Sequence, residues 1–299
     1  MKKSIIEAAN TGYVLTDGAM GSELLRRGLS IGACPALWNI EKPDDVREVH
    51  ESYVNAGCDA LVTNTFGANR LRLEEHGLSN RAAELNARAV DLARAAAGSS
   101  QWVLGSVGPC SGFGTPQEGL PRDAMLQAYS EQVKALSEAG VDALLIETCT
   151  DSAELRAAVE ATRSTCPATA LIVSLCFKKG NGGTGYHLIK SEEPLEVACE
   201  LLAKLDVDAA GVNCGIDVHA DDYTTIAAAL RACIAGPILV RPNGGRAAAC
   251  GLAVQCADPP EMLADAVWGF VRAGASIIGG CCGTTPEHIR LFRAELDRL

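Results

Sequence analysis

Aromatic residues are scarce: three Trp, five Tyr and five Phe make up 4% of the chain. A sandwich core built on large rings is a poor fit to that supply. Long apolar runs are missing as well. No stretch reaches the length needed to span a bilayer, and no apolar segment of a secretory signal follows Met1-Lys2-Lys3. Basic clusters are absent too. Lys and Arg number 26 against 37 Asp and Glu, the net charge is −11, and the cations are scattered. Nothing here tracks phosphate, so neither nucleic acid nor a membrane is expected as a partner.

Cysteine runs the other way. There are 13, an odd number at irregular spacings behind no signal segment. A disulfide scaffold is therefore not expected, and a reducing, cytoplasmic setting is. Most should be small core residues. Cys58, Cys166, Cys176, Cys199 and Cys233 lie in apolar segments and take that reading.

The 299 residues suit one large barrel or two medium domains, and 48% hydrophobic content is enough for a sizeable core. Short apolar runs alternate with helical stretches from end to end. Strands are expected at 13–16, 60–63, 102–107, 143–147, 171–175, 210–213, 238–240 and 276–279, each bounded by polar or Gly residues. Helices are expected at 43–56, 80–97, 122–139, 151–165, 194–205, 222–235 and 260–273. Three of them stop at Ala56-Gly57, Ala139-Gly140 and Ala273-Gly274, the left-handed glycine stop, and a strand follows each. Eight strand–helix units without a linker predict an α/β fold, a single (β/α)8 TIM barrel over 1–299. An open doubly wound sheet is the alternative, but it uses fewer units and a phosphate-binding turn after its first strand.

In such barrels the active site lies at the carboxyl ends of the strands. Polar residues and glycines gather there. Cys214 ends the sixth strand, and Cys281-Cys282 follow the eighth, two strands away on the same rim. Neighbouring strand residues face opposite ways, so two adjacent Cys reach one metal only where the strand has broken. Gly279-Gly280 and Gly283 flank them and permit a bend. Three thiolates with an open fourth position suit a catalytic zinc. Unrelated core cysteines and a vicinal disulfide are the competing readings.

The segments Asp17-Gly18-Ala19-Met20-Gly21, Asn64-Thr65-Phe66-Gly67-Ala68, Gly105-Ser106-Val107-Gly108-Pro109, Glu147-Thr148, Gly211-Val212-Asn213-Cys214, Pro242-Asn243-Gly244-Gly245 and Gly279-Gly280-Cys281-Cys282-Gly283-Thr284-Thr285-Pro286 resemble the homocysteine S-methyltransferase family. That family includes the homocysteine-binding module of cobalamin-dependent methionine synthase and the betaine– and S-methylmethionine–homocysteine methyltransferases. The resemblance runs from about Leu15 to Ile289 and comes closest to the methionine synthase module. It implies a zinc-binding (β/α)8 barrel in which Cys214, Cys281 and Cys282 hold the metal. It also implies that Asp17 and the backbone of Gly18 and Ala19 hold the amino-acid end of L-homocysteine, with Glu147 on its ammonium. Asn64 and Asn243 complete the implied substrate-binding set, and Asn243 is a candidate for the fourth zinc position before a thiol binds. The family often has Pro-Asn-Ala-Gly where this chain has Pro242-Asn243-Gly244-Gly245, and the Gly180–Gly185 run is unusual; neither departure removes a ligand.

A free alkyl thiol has a pKa near ~8.5, so little is thiolate at neutral pH. Zinc removes the proton, and three protein thiolates leave the sulfur nucleophilic. The expected reaction is methylation of the homocysteine thiol to methionine, with no general acid–base residue needed. One barrel without folate- and cobalamin-binding modules would take methyl from a separate corrinoid protein or a small methyl-onium compound. Onium recognition uses aromatic cages, and Phe66, Phe113 and Tyr186 are the aromatics expected on rim loops.

Other signals are weaker. Gly180, Gly182 and Gly185 match a dinucleotide fingerprint by letter, but Tyr186-His187-Leu188 opens no helix, and a mobile rim loop is the better reading. His219 reads as a solvated loop residue, Asp17 has the alternative of a turn cap, and Glu147 that of a structural pair with an Arg or Lys. The alternative functions are a non-catalytic zinc, thiol-binding or redox-sensing barrel, and a methyltransferase acting on another thiol or selenol. A lyase or aldolase barrel would show a Schiff-base Lys or a His-rich metal site, and neither is visible.

Overall fold

The computed structural model describes residues 2–112, 120–245 and 259–299. Phe113, one of the rim aromatics expected above, lies outside the described residues.

Eight parallel strands form the barrel: β1 Val14–Leu15, β2 Ala60–Val62, β3 Trp102–Val107, β4 Ala143–Cys149, β5 Ala170–Leu175, β6 Ala209–Asn213, β7 Ile238–Arg241 and β8 Ala275–Ile278. Hydrogen-bonded neighbours follow chain order from β2 to β8, and β8 pairs with β1. A parallel bridge between Thr16 and Ala60 joins β1 to β2 and closes the ring. The (β/α)8 expectation is met, with strand bounds moved by one or two residues. Helices fill the connections, among them Pro43–Asn55, Ala82–Ala97, Arg122–Glu138, Ser152–Thr165 and Pro260–Arg272. The three Ala-Gly stops are real. Gly57, Gly140 and Gly274 have φ of 93°, 91° and 99°, a region that costs a Cβ-bearing residue free energy.

The barrel interior is filled by Val14, Val62, Leu104, Leu145, Ile172, Leu239 and Ile277, with small residues between them at Ala60, Ala143 and Ala209. These three alanines open β2, β4 and β6. Ile5 and Ala9 of the first helix, Ile5–Thr11, pack into the same cluster, so that helix plugs the amino-terminal mouth. Its start is set by a Ser4–Glu7 capping box. The outer layer packs Tyr53, Tyr129, Phe270 and Phe292, all fully buried, between helices and strands. Each contributes on the order of 2–3 kcal/mol of burial. With one mouth plugged, the carboxyl ends of the strands are left for the site.

Two readings of the sequence are corrected: Cys233, expected in the core, is exposed at the last position of helix Ala220–Cys233, and one loop is an ordered element. Residues 180–185 are the tip of an antiparallel hairpin, Phe177–Lys179 against Tyr186–Leu188. Three-residue strands carry too little alternation to announce themselves. Among the described residues no helix is long and apolar enough to cross a membrane.

Candidate active site

β6 ends at Asn213, and Cys214 then takes φ of 57°, the left-handed region that a side chain enters only under constraint. The constraint is visible. Tyr223 Oη donates to the Cys214 carbonyl at 2.7 Å, and Cys214 N donates to the Arg241 carbonyl at 3.3 Å. The chain therefore turns at Cys214 instead of continuing β6.

β8 ends at Ile278, three residues before Cys281, so the strand has broken before the cysteine pair. Gly279 and Gly280 are required for space. A Cβ at Gly279 would lie 1.9 Å from Thr16 Oγ1, and one at Gly280 would lie 2.2 Å from Thr284 Oγ1. The backbone beyond is tied to the end of β7: Cys281 N donates to the Pro242 carbonyl and Gly244 N to the Cys282 carbonyl, both at 2.8 Å. Together these turns bring the sulfurs of Cys214, Cys281 and Cys282 within 4.8 Å of one another. They divide their protons unevenly. Hydrogen bonds from Cys176, then from Cys281 and Cys282, hold Cys214 well below the usual thiol range. Donating to Cys214 pushes Cys281 up to about 12. Cys176 is fully buried beside this group and gives its S–H hydrogen bond to Cys214, outside the cluster of three sulfurs.

The donor set fits a soft divalent cation with an open position. Asn243 supports the fit. It is 5% exposed, and its Oδ1 has no hydrogen-bond partner among the described residues, while its Nδ2 reaches the Gly215 carbonyl at 3.4 Å. A buried amide oxygen left open beside the cysteine turn is costly unless something occupies it.

Asn213 stands in the motif before Cys214 but was given no role in the sequence reading, yet it organises this end of the barrel. Its Oδ1 accepts from Thr148 N at 2.9 Å and Ser174 Oγ at 2.6 Å. Its Nδ2 donates to Thr148 Oγ1 at 2.8 Å and lies 3.5 Å from Cys281 Sγ. Thr148 has φ of 62°, rare for a β-branched residue, and these bonds hold it there.

The three cysteines face a cleft of about 210 Å³. Met20, Leu25, Pro35, Val62 and Phe66 supply its apolar wall, and Asn64, Ser106, Glu147 and Arg241 its polar one. Asn64 is locked by donating to the Pro35 carbonyl at 2.8 Å and to Asn39 Oδ1 at 3.0 Å. Glu147 accepts from Ser106 Oγ, and from Arg241 Nη1 at 3.0 Å. Arg241 Nη2 reaches Asp17 Oδ1 at 3.3 Å, and Asp17 Oδ2 also accepts from Val62 N at 2.8 Å. Burial pushes the Asp17 carboxyl up to about 7, with Arg241 opposing. Burial works against the Arg241 charge, but Glu147 and Asp17 outweigh it and hold the guanidinium protonated. Asp17 thus sits against Arg241, 1% exposed, and the Ala19 amide is committed to Thr284 Oγ1 at 3.2 Å.

Arg241 is the residue that the sequence reading passed over. A signal existed: an Arg ending a strand buried on both faces must find carboxylates, and Asp17 and Glu147 lie within two residues of strand ends on the same rim. Two other candidates lie apart from the cleft. Tyr186 gives its hydroxyl to Asp222 at 2.8 Å, and His219 is the exposed N-cap of helix Ala220–Cys233.

Known proteins resemble this arrangement. The methionine synthase of Mycobacterium tuberculosis is 32% identical over 311 residues, covering 99% of this chain and 25% of that protein. The methionine synthase of Mycobacterium leprae is 30% identical over 316 residues, again covering 25% of its length. The chain thus spans about a quarter of the curated relatives it matches. Among solved structures, the homocysteine methyltransferase MmuM from Escherichia coli in its metallated form superposes with a TM-score of 0.76 at 28% identity, covering 94% of this chain and 96% of that one. The family description homocysteine S-methyltransferase matches residues 14–296. With a family match over nearly its whole length and the three clustered cysteines at the barrel rim, the chain belongs to the homocysteine S-methyltransferase family.

Proposed function

We propose that this chain transfers a methyl group to the thiol of homocysteine, giving methionine, with one zinc ion held by Cys214, Cys281 and Cys282. The observation that carries the reading is the meeting of three sulfurs, within 4.8 Å of one another, with Glu147 and Arg241 on the wall of one cleft. Zinc held there supplies a substrate thiol deprotonated at neutral pH. The chain's own residues do the placing. Glu147 offers a carboxylate to the ammonium of the amino acid, and Ser106 fixes that carboxylate's direction. Asn64 is a locked polar group on the same wall, and Met20, Val62 and Phe66 cover the methylene groups. Holding the sulfur and the amino-acid head at once is a proximity effect. Transfer forms the S–CH3 bond as the donor–CH3 bond breaks, and no proton relay from the chain is needed.

For the donor, our reading is a methylcorrinoid. The relatives named methionine synthase support it, and so does the cleft. Phe66 is the one aromatic side chain lining it among the described residues, whereas quaternary ammonium groups are held by cages of several rings. The test offers homocysteine and zinc-loaded protein with methylcobalamin, S-methylmethionine or glycine betaine separately. Methionine from methylcobalamin is expected. Brisk turnover with either onium compound and none with methylcobalamin would overturn the donor assignment. Zinc bound without methionine from any donor would favour a non-catalytic barrel.

A further inference from the structure

Arg241 does more than neutralise its neighbours. It is 3% exposed and lines the cleft together with Glu147, Cys214 and Cys281. Nη1 is bonded to Glu147 and Nη2 to Asp17, but Nε has no partner among the described residues. A guanidinium has five N–H donors, and a buried charged donor left open is costly. The arrangement also poses a problem of charge. If the cleft received an ammonium alone, that cation would enter beside a guanidinium already seated on the same two carboxylates. An α-amino acid removes the conflict, because its carboxylate travels with its ammonium. One backbone donor at the site is already spent, since the Ala19 amide bonds Thr284.

We infer that Arg241 receives the α-carboxylate of the thiol substrate, beside the Glu147 carboxylate already read as the partner of its ammonium, so that Arg241 adds selection for the acid group of the thiol. The inference rests on the reading of this cleft as a thiol site and adds a specificity determinant to it. The zwitterionic head and the ion pair are complementary: plus faces minus twice, at the spacing set by the 3.0 Å Arg241–Glu147 contact. A thiol with only one of the two charges leaves one member of the pair unanswered.

The test is calorimetric binding to zinc-loaded protein, with no methyl donor present. Three thiols are compared: homocysteine, 4-mercaptobutanoate (no ammonium) and 3-aminopropane-1-thiol (no carboxylate). Wild-type protein should bind homocysteine best. Arg241→Met should weaken homocysteine and 4-mercaptobutanoate about ten- to a hundred-fold, the range of one charge-assisted hydrogen bond, and spare the aminothiol. Glu147→Gln should show the opposite preference. Should Arg241→Met fold poorly, Arg241→Lys keeps the charge and loses the planar fork, and a smaller loss confined to the two carboxylate-bearing thiols is expected. Equal weakening of all three thiols, or weakening of the aminothiol alone, would overturn the inference. A chain that shows this selectivity yet makes no methionine would sink the methyl-transfer reading and keep the anchor.

Discussion

The side-chain nitrogen of Asn213 lies 3.5 Å from the sulfur of Cys281, so the residue preceding one clustered cysteine holds another. The same side chain accepts from Thr148 N and Ser174 Oγ and thereby links β4, β5, β6 and the segment after β8. An N–H directed at a thiolate stabilises it, and partners of this kind behind the ligands tune metal sites.

Asn213→Ala should therefore act twice. Leaving Thr148 N and Ser174 Oγ without their acceptor should cost about 3 kcal/mol of stability, read by urea denaturation. Zinc affinity should fall about ten- to a hundred-fold, read by competition with a chelating dye. Reduced stability with unchanged zinc affinity would reduce Asn213 to a fastener of the barrel.

Cys281→Ala should remove most of the zinc and all methyl transfer while the barrel persists. Its core is carried by Leu104, Leu145, Ile172 and Leu239, none of which touches the metal question. Metal analysis with circular dichroism checks both halves, and full zinc retention would falsify the ligand assignment.

Two glycine-to-alanine variants should separate by sign. Gly279→Ala places a Cβ 1.9 Å from Thr16 Oγ1, so the β1–β8 contact must shift, at a cost of about 1–3 kcal/mol. Gly21→Ala meets nothing within 4 Å and sits in helix Met20–Arg26, so it should gain about 0.5–1 kcal/mol. Thermal melts decide, and equal effects would contradict the packing argument.

His50 should shape the acid limb of stability. It is fully buried, its ring nitrogens have no partners among the described residues, and burial lowers its pKa to about 4. The unfolded chain binds the proton near pH 6.5 and the folded chain does not. The contribution is thus present above about 6.5 and is lost as pH falls toward 4, by roughly 3 kcal/mol at most. Asp17 works in the opposite sense. With its folded pKa raised to about 7, its contribution is present below 3.8 and is lost as pH rises through 7. Metal-free His50→Leu protein, melted from pH 4 to 7, should lose the rising limb. An unchanged profile would show that His50 takes its proton in the fold.

Much of this architecture is readable residue by residue. The eight strand–helix units, the glycine helix stops at Gly57, Gly140 and Gly274, and the placing of Cys214 and Cys281-Cys282 at strand ends all follow from apolar periodicity and glycine punctuation. Those signals act within a dozen residues, and barrel geometry then brings strand ends to one rim. The hairpin Phe177–Lys179 with Tyr186–Leu188 escaped, because three-residue strands have no period to detect. The polar wiring of the site was decided only by tertiary structure. Arg241 meets Glu147 across 94 residues of chain and Asp17 across 224. Asn213 reaches Cys281 across 68. Which buried charge answers which depends on how the closed barrel sets the phase of each strand end, and no local pattern carries that phase.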